Sequence, residues 1–162
     1  MTNGKDNGKL AQVSLREITS KNLKAILALR VTEEQKKAYP RSNAYSIAEG
    51  YYPPDDDLVW MRVIYADETP VGFLMTSEAP DSGEYFLWRL MIDAKHQGRG
   101  YGSGAVELLI EHIKSSGNAK VLVTSHLKND GDAGAFYKKL GFDYTGEILN
   151  SSDYVMRISW TP

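Results

Sequence analysis

The feature that most constrains this 162-residue chain is the stretch Gln97-Gly98-Arg99-Gly100-Tyr101-Gly102-Ser103-Gly104. It follows an apolar, strand-like run from Tyr85 to Ile92. It leads into a helical pattern in which Ala105, Leu108, Leu109 and Ile113 share a face. Strand, glycine-dense turn and helix in that order build an anion site. The glycines let the backbone turn without Cβ clashes, and successive N–H groups then point outward at the positive end of the helix dipole. A phosphate or pyrophosphate is the natural ligand of such a nest. A Walker-type loop does not fit, because Ser103 stands five residues after Gly98 and no Lys-Ser or Lys-Thr pair follows. Gly100-x-Gly102-x-x-Ala105 satisfies the dinucleotide spelling. However, the expected acidic residue is missing from Val121 to His126, and the loop lies mid-chain. A ligand-free surface turn has the same spelling.

Composition narrows the class. The length suits one domain, expected over residues 12–162. A formal net charge of -2 gives no sign of nucleic-acid binding. The absence of cysteine excludes disulfides, thiolate metal sites and a cysteine nucleophile. His96, His112 and His126 are scattered and receive no metal role. No apolar run reaches membrane-spanning length and the first residues lack an apolar signal core, so a cytoplasmic protein is expected.

Residues 1–11, rich in Gly, Asn and Lys, read as a disordered tail. The order β-α-α-β-β-β-α-β-α-β-β follows from the periodicities. Thr19 or Ser20 is expected to cap the first helix, a short helix to run toward Pro53-Pro54, and Asp132 to cap the last one. Three consecutive strands before the glycine loop predict an antiparallel half, and the strand-helix-strand after it predicts a parallel crossover. The expectation is an α/β (α+β) fold. Its mixed, mostly antiparallel sheet is flanked by helices and splays where the two halves meet.

Leu90-Met91-Ile92-Asp93, the glycine loop and Ala135-Phe136-Tyr137-Lys138-Lys139-Leu140-Gly141-Phe142 resemble the GNAT acetyltransferase superfamily. The likeness runs along nearly the whole chain, from Val13 to Trp160. Within it, Gln35, the segments 43–49 and 70–73, Trp88 to Asp93, and the segment 144–147 are similar to bacterial spermine/spermidine (diamine) N-acetyltransferases. The resemblance implies acetyl-CoA as acetyl donor and no metal. The backbone of Leu90, Met91 and Ile92 would bind the pantetheine arm. Gln97, Gly98, Arg99, Gly100, Tyr101, Gly102 and Ser103 would hold the pyrophosphate. Asn129, or Asp130 beside it, would contact the same arm, and Lys139 or Lys138 the 3′-phosphate. Tyr137 would protonate the departing thiolate, a fitting task for a phenol of pKa about 10. The base used by animal relatives does not carry over, because Trp88 stands at its position; Glu84 and a water relay are the candidates.

Eight acidic residues between Gly50 and Trp88 face only Arg62. Asp67, Glu68 and Asp81 read as solvated turn residues; the others, with Glu33, Glu34 and Glu49, predict a field that attracts polycations, and Tyr51 is expected to pack on a polyamine. A polyamine amine is therefore the expected acceptor. An aminoglycoside, a peptide or protein amine, and a non-catalytic acyl-CoA-binding module are the alternatives. Many such relatives pair as homodimers.

Overall fold

The computed structural model describes residues 10–54 and 56–160. Most of the expected tail lies outside them. Ala11 packs on the core, and Gln12 exchanges hydrogen bonds with Asp67.

The chain runs β1 (Val13–Arg16), α1 (Leu23–Ala28), α2 (Glu33–Ala38), α3 (Asn43–Tyr51), β2 (Leu58–Ala66), β3 (Thr69–Ala79), β4 (Glu84–Ile92), a 3₁₀ turn (Ala94–His96), α4 (Tyr101–Ser115), β5 (Val121–Leu127), α5 (Gly131–Lys139), β6 (Asp143–Leu149) and β7 (Asp153–Ser159). One seven-stranded sheet has the order β1-β2-β3-β4-β5-β7-β6. β4 and β5 are parallel and every other neighbouring pair is antiparallel. The expected mixed sheet is thus what the chain forms.

Among the described residues three helices precede β2, where two were expected. Pro40 lacks the N–H that would continue a helix, and Tyr39 before it is extended, so the segment splits. Each piece has its own cap: Thr32 accepts from the Gln35 N–H in a reciprocal capping box, and Ser42 accepts from the Tyr45 N–H. Asn22, rather than Thr19 or Ser20, stands at the start of α1, and Asp130 rather than Asp132 caps α5.

Alternation along the strands sorts the core into two layers. Ile64, Leu74 and Leu87 face α4 and α5, where they meet Val106, Leu109, Ile113 and Phe142. Val63, Phe73 and Met75 face the other way and bury Ile26 of α1. Each such large side chain taken from water stabilises the fold by about 1.5–3 kcal/mol. α3 lies close on this second face because Gly50 has no side chain; a Cβ there would meet the Met75 Sδ at 2.9 Å. The two helical layers leave the sheet's central fork open between them.

Candidate active site

The site begins with a failure of strand pairing. β4 and β5 pair only from Glu84↔Val121 to Leu87↔Thr124, although both strands continue. Opposite β3, Met75 faces Arg89 while Thr76 faces Leu87, so Trp88 is an extra, bulged residue. The bulge turns β4 away from β5 at the point where pairing stops. Beyond it one edge of β4 has no strand partner among the described residues. The Ile92 carbonyl on that edge accepts from Gln97 Nε2 at 2.9 Å, whereas the Asp93 N–H donates back to Val71 of β3. By the two-residue period, the N–H and C=O of Leu90 face the open edge, and those of Met91 face β3. Leu90 and Ile92 therefore turn their backbone groups to the open edge, and Met91 turns its own to β3. Its side chain lines the cleft instead, with its Sδ 3.7 Å from Asn43 Nδ2. An extended chain with its own amides would add here as a partial strand.

The cleft that fills this fork has a volume of about 650 Å³, within the range of about 300–1,000 Å³ usual for small-molecule sites. At one end lies the glycine loop. Gly98 and Gly100 have φ of 74° and 80°, conformations that favour glycine. Gly100 stands at the start of α4 and supplies no side-chain cap, so first-turn N–H groups of this 15-residue helix are left for a ligand. Gly102 lets α4 approach α5: a Cβ there would touch the Phe136 ring at 3.4 Å. Gly98, Gly100, Tyr101, Gly102 and Ser103 line the cleft, and Arg99 is exposed outside that lining. The Gln97 side chain turns back, tying the Ile92 carbonyl to the Gln35 Oε1 at 2.8 Å, so it braces the loop. These features fit a pyrophosphate joined to an extended amide-bearing arm.

At the fork itself stands Tyr137. α5 brings it against Phe136 and Phe142, with Thr124 at the same point of the cleft. The residue is 8% exposed. Burial pushes the phenol up to about 12; a hydrogen bond with Thr124 works against that, and the Asp130 carboxylate adds to it. The hydroxyl is therefore protonated at neutral pH and lies where it can donate. Asp130 lines the cleft while its carboxylate accepts from the Ala133 N–H at 3.1 Å. Asn129 and Lys139 are exposed and do not line it.

The acceptor side departs furthest from expectation. Glu33 and Glu34 are highly exposed and pair with Lys36 and Lys37 on α2. Glu49 is held between Arg41, at 3.2 Å, and Arg89, at 2.9 Å. Tyr51 is 71% exposed and outside the cleft. Asp56, Asp57, Glu78, Asp81 and Glu84 gather at the start of β2, the end of β3 and the start of β4, the sheet end opposite the glycine loop. Glu84 is six residues from Leu90, roughly 20 Å along the strand, and is not in the cleft lining. Local charges that add up in the sequence are spent in pairs, or lie at the far end of the sheet.

Several cleft residues carried no sequence signal of their own. Arg89 has its guanidinium over the Tyr39 ring, 4.5 Å from the centroid, and bonds Trp88 O and Glu49. Tyr39 comes to it from the far side of Pro40. Thr124 did have a signal: it is a hydroxyl inside a strand that otherwise reads as buried. No group of three or more His, Asp or Glu side chains capable of holding a metal occurs among the described residues. No helix there is long and apolar enough to cross a membrane.

This geometry has counterparts. The chain is 27% identical over 154 residues to a spermine/spermidine N(1)-acetyltransferase of Bacillus subtilis, covering 89% of this chain and 96% of that protein. Among solved structures it superposes on a spermidine N-acetyltransferase from Vibrio cholerae in complex with CoA and spermine, with a TM-score of 0.71 at 15% identity, covering 91% of this chain and 95% of the other. An aminoglycoside acetyltransferase in complex with coenzyme A gives 0.73 at 18% identity over the same shares. The sequence profile of the acetyltransferase (GNAT) family matches residues 21–142. With that match spanning the fork, the glycine loop and the helix that carries Tyr137, the chain belongs to the GNAT acetyltransferase family.

Proposed function

We propose that this chain transfers an acetyl group from acetyl-CoA to a primary amine of spermine or spermidine, by direct attack with both substrates bound. The observation that carries the reading is the fork, where the free backbone of Leu90 and the buried hydroxyl of Tyr137 border one cleft whose other end is the uncapped start of α4. Acetyl-CoA supplies the thioester; the chain's own groups bind, orient and move protons. The amides of Gly98 to Gly102, with Ser103, hold the pyrophosphate. Leu90 pairs with the pantetheine arm, and its N–H stabilises the oxyanion. Tyr137 donates the proton taken by the leaving sulfur. The acceptor ammonium loses its proton through water, since Glu84 stands at the far end of β4.

The polyamine assignment draws on the likeness to curated relatives rather than on cleft charge. A second reading, an amine borne by a peptide or protein, is favoured by one observation: Arg41 and Arg89 border the cleft and share one carboxylate, which leaves that wall positive.

The test is CoA release from acetyl-CoA against spermine, spermidine, putrescine, an aminoglycoside, and lysine peptides of acidic and neutral composition. Saturable turnover with spermine or spermidine is expected. Turnover confined to the peptides, strongest with the acidic one, replaces the polyamine assignment with the second reading. Binding of acetyl-CoA without turnover of any amine makes the chain a binding module.

A further inference from the structure

We propose that Asn43 and Ser46 hold the reacting amine: on the cleft-facing side of α3, Asn43 Oδ1 and Ser46 Oγ each accept one of its N–H groups. The inference rests on amine acetylation at this cleft and does not need the polyamine assignment.

Asn43 and Ser46 stand three residues apart on α3, so they share one face of the helix, with Cβ atoms about 5–6 Å apart. Both are buried, at 6% and 2% exposure, and both line the cleft. Neither is needed to start the helix, because Ser42 caps it by accepting from the Tyr45 N–H. A buried polar group stays at low cost only when it is bonded, and Asn43 is bonded at one end alone. Its Nδ2 donates to the Ile26 carbonyl at 2.9 Å and lies 3.7 Å from Met91 Sδ. A carbonyl only accepts, so the Ile26 contact fixes which amide atom is the nitrogen and which is the oxygen. Among the described residues neither Asn43 Oδ1 nor Ser46 Oγ has a hydrogen-bond partner. Nor is either sealed off: the polar side-chain atoms that are both sealed and unpartnered there are Tyr39 Oη and Arg89 Nε.

The pair stands close to the chemistry. Met91 follows Leu90, so the Asn43 amide is one side chain away from the open backbone edge of β4. Phe73, Trp88 and Met91 give the same wall its apolar surface, which suits the methylenes of an alkyl amine.

Asn43 Oδ1 accepts only, and a helical serine can turn its proton to the carbonyl one turn back. Oxygens left to accept take a ligand that donates. A neutral primary amine has two N–H groups and one lone pair. The two oxygens take the hydrogens, and the lone pair stays free for the acetyl carbon. Neither oxygen carries a formal charge, so, unlike a carboxylate, they do not hold the nitrogen as ammonium. The ammonium first gives one proton to water. Its lone pair then forms the bond to the acetyl carbon, and the C–S bond breaks with its electron pair going to sulfur. Sulfur takes the Tyr137 proton, and the nitrogen's remaining surplus proton returns to Tyr137 through water.

Kinetics of Ser46→Ala and Asn43→Leu test this, with the panel amine that turns over fastest and with its N-methyl derivative, which has only one N–H once deprotonated. Ser46→Ala is expected to lower kcat/KM for the primary amine about three- to tenfold, the effect of one lost hydrogen bond. The KM for acetyl-CoA and kcat/KM for the N-methyl amine should stay unchanged. Asn43→Leu should lower kcat/KM for the primary amine at least as far, with CoA binding intact by calorimetry. If Asn43→Leu does not fold, Ser46→Ala decides alone, since alanine favours the helix. An unchanged kcat/KM in Ser46→Ala, an equal fall for both amines, or an acetyl-CoA KM that rises in step overturns the inference. Turnover of a peptide amine and of no polyamine removes the polyamine assignment and leaves this test in force. No turnover with any amine overturns the transfer reading and this inference together.

Discussion

The two sides of the cleft are built by different means. On the glycine-loop side the groups left open are backbone: an edge of β4 without a strand partner among the described residues, two residues at positive φ, and a helix start with no side-chain cap. On the acceptor side, side chains from α2, α3 and β4 neutralise one another: Glu33 with Lys36, Glu34 with Lys37, and Glu49 between Arg41 and Arg89. A backbone site tolerates almost any neighbouring side chains as long as its glycines remain. A side-chain site is defined by which charges are left over after pairing, and residues distant in sequence decide that. The first kind suits a ligand common to a whole family, the second an acceptor that varies.

Changes on the loop side should act on turnover or donor binding, and changes on the acceptor side on stability and acceptor choice. The largest expected effect is from Tyr137→Phe, which should lower kcat at least about a hundredfold while leaving CoA binding, read by calorimetry, intact. Equal losses in both would make Tyr137 a packing residue and erase the contrast. The same variant has a signature in stability. The unfolded phenol ionises near 10.0, whereas the folded one holds its proton up to about 12. Its stabilisation is thus full below pH 10 and is lost as the pH rises through that window. The Phe variant should show a shallower decline in unfolding free energy there.

Next is Gly100→Val. A β-branched residue at φ 80° is strained by about 1–2 kcal/mol, so the KM for acetyl-CoA should rise about tenfold, with the KM for the amine unchanged. A rise in the amine KM instead would show that the two sides are not separable. Glu49→Gln should destabilise the fold by about 1–2 kcal/mol in urea unfolding, between the values for exposed and buried pairs, because it leaves the half-buried Arg89 without its carboxylate. Arg41→Gln, which keeps the Arg89 pair, should be nearly neutral in stability, and it should lower the KM for a polycationic amine by removing a like charge. If the KM does not move, Arg41 lies outside the acceptor path.

The smallest effect is expected far from the cleft, at Arg16→Ala. Hydrogen bonding and the charge of Arg16 hold the Glu68 carboxyl below its ordinary value. The slight stabilisation is present above that ordinary value and is lost as the pH falls through the depressed one. The Tm difference between parent and variant should be small at pH 7 and vanish at acid pH.

The loop side was legible because its information is local. Gln97 to Gly104 spells a backbone path, and the apolar runs around it announce the strand and helix that aim it. The place of Tyr137 was legible for the same reason, one residue beyond Phe136 on a short helix followed by Gly141. The acceptor side was misread where local charge was taken for field. The acids from Asp56 to Glu84 are close in sequence, but two strand reversals carry them to the end of the sheet opposite the glycine loop. Glu49 needs Arg89, forty residues on, before its charge can be counted.

Periodicity and glycine spacing by themselves determined the order of strands along the chain, the parallel step after the loop, and the glycine turn at the start of α4. These depend on interactions within a few residues, which sequence order preserves. Only the tertiary structure decided that the β4–β5 pairing stops at Leu87 and Thr124, that the Thr124 hydroxyl bonds the Leu87 carbonyl across that last pair, and that Arg41 and Arg89 take the charge of Glu49. Each of those brings together groups from separate elements, and their distances are set by how the sheet bulges and the helices pack.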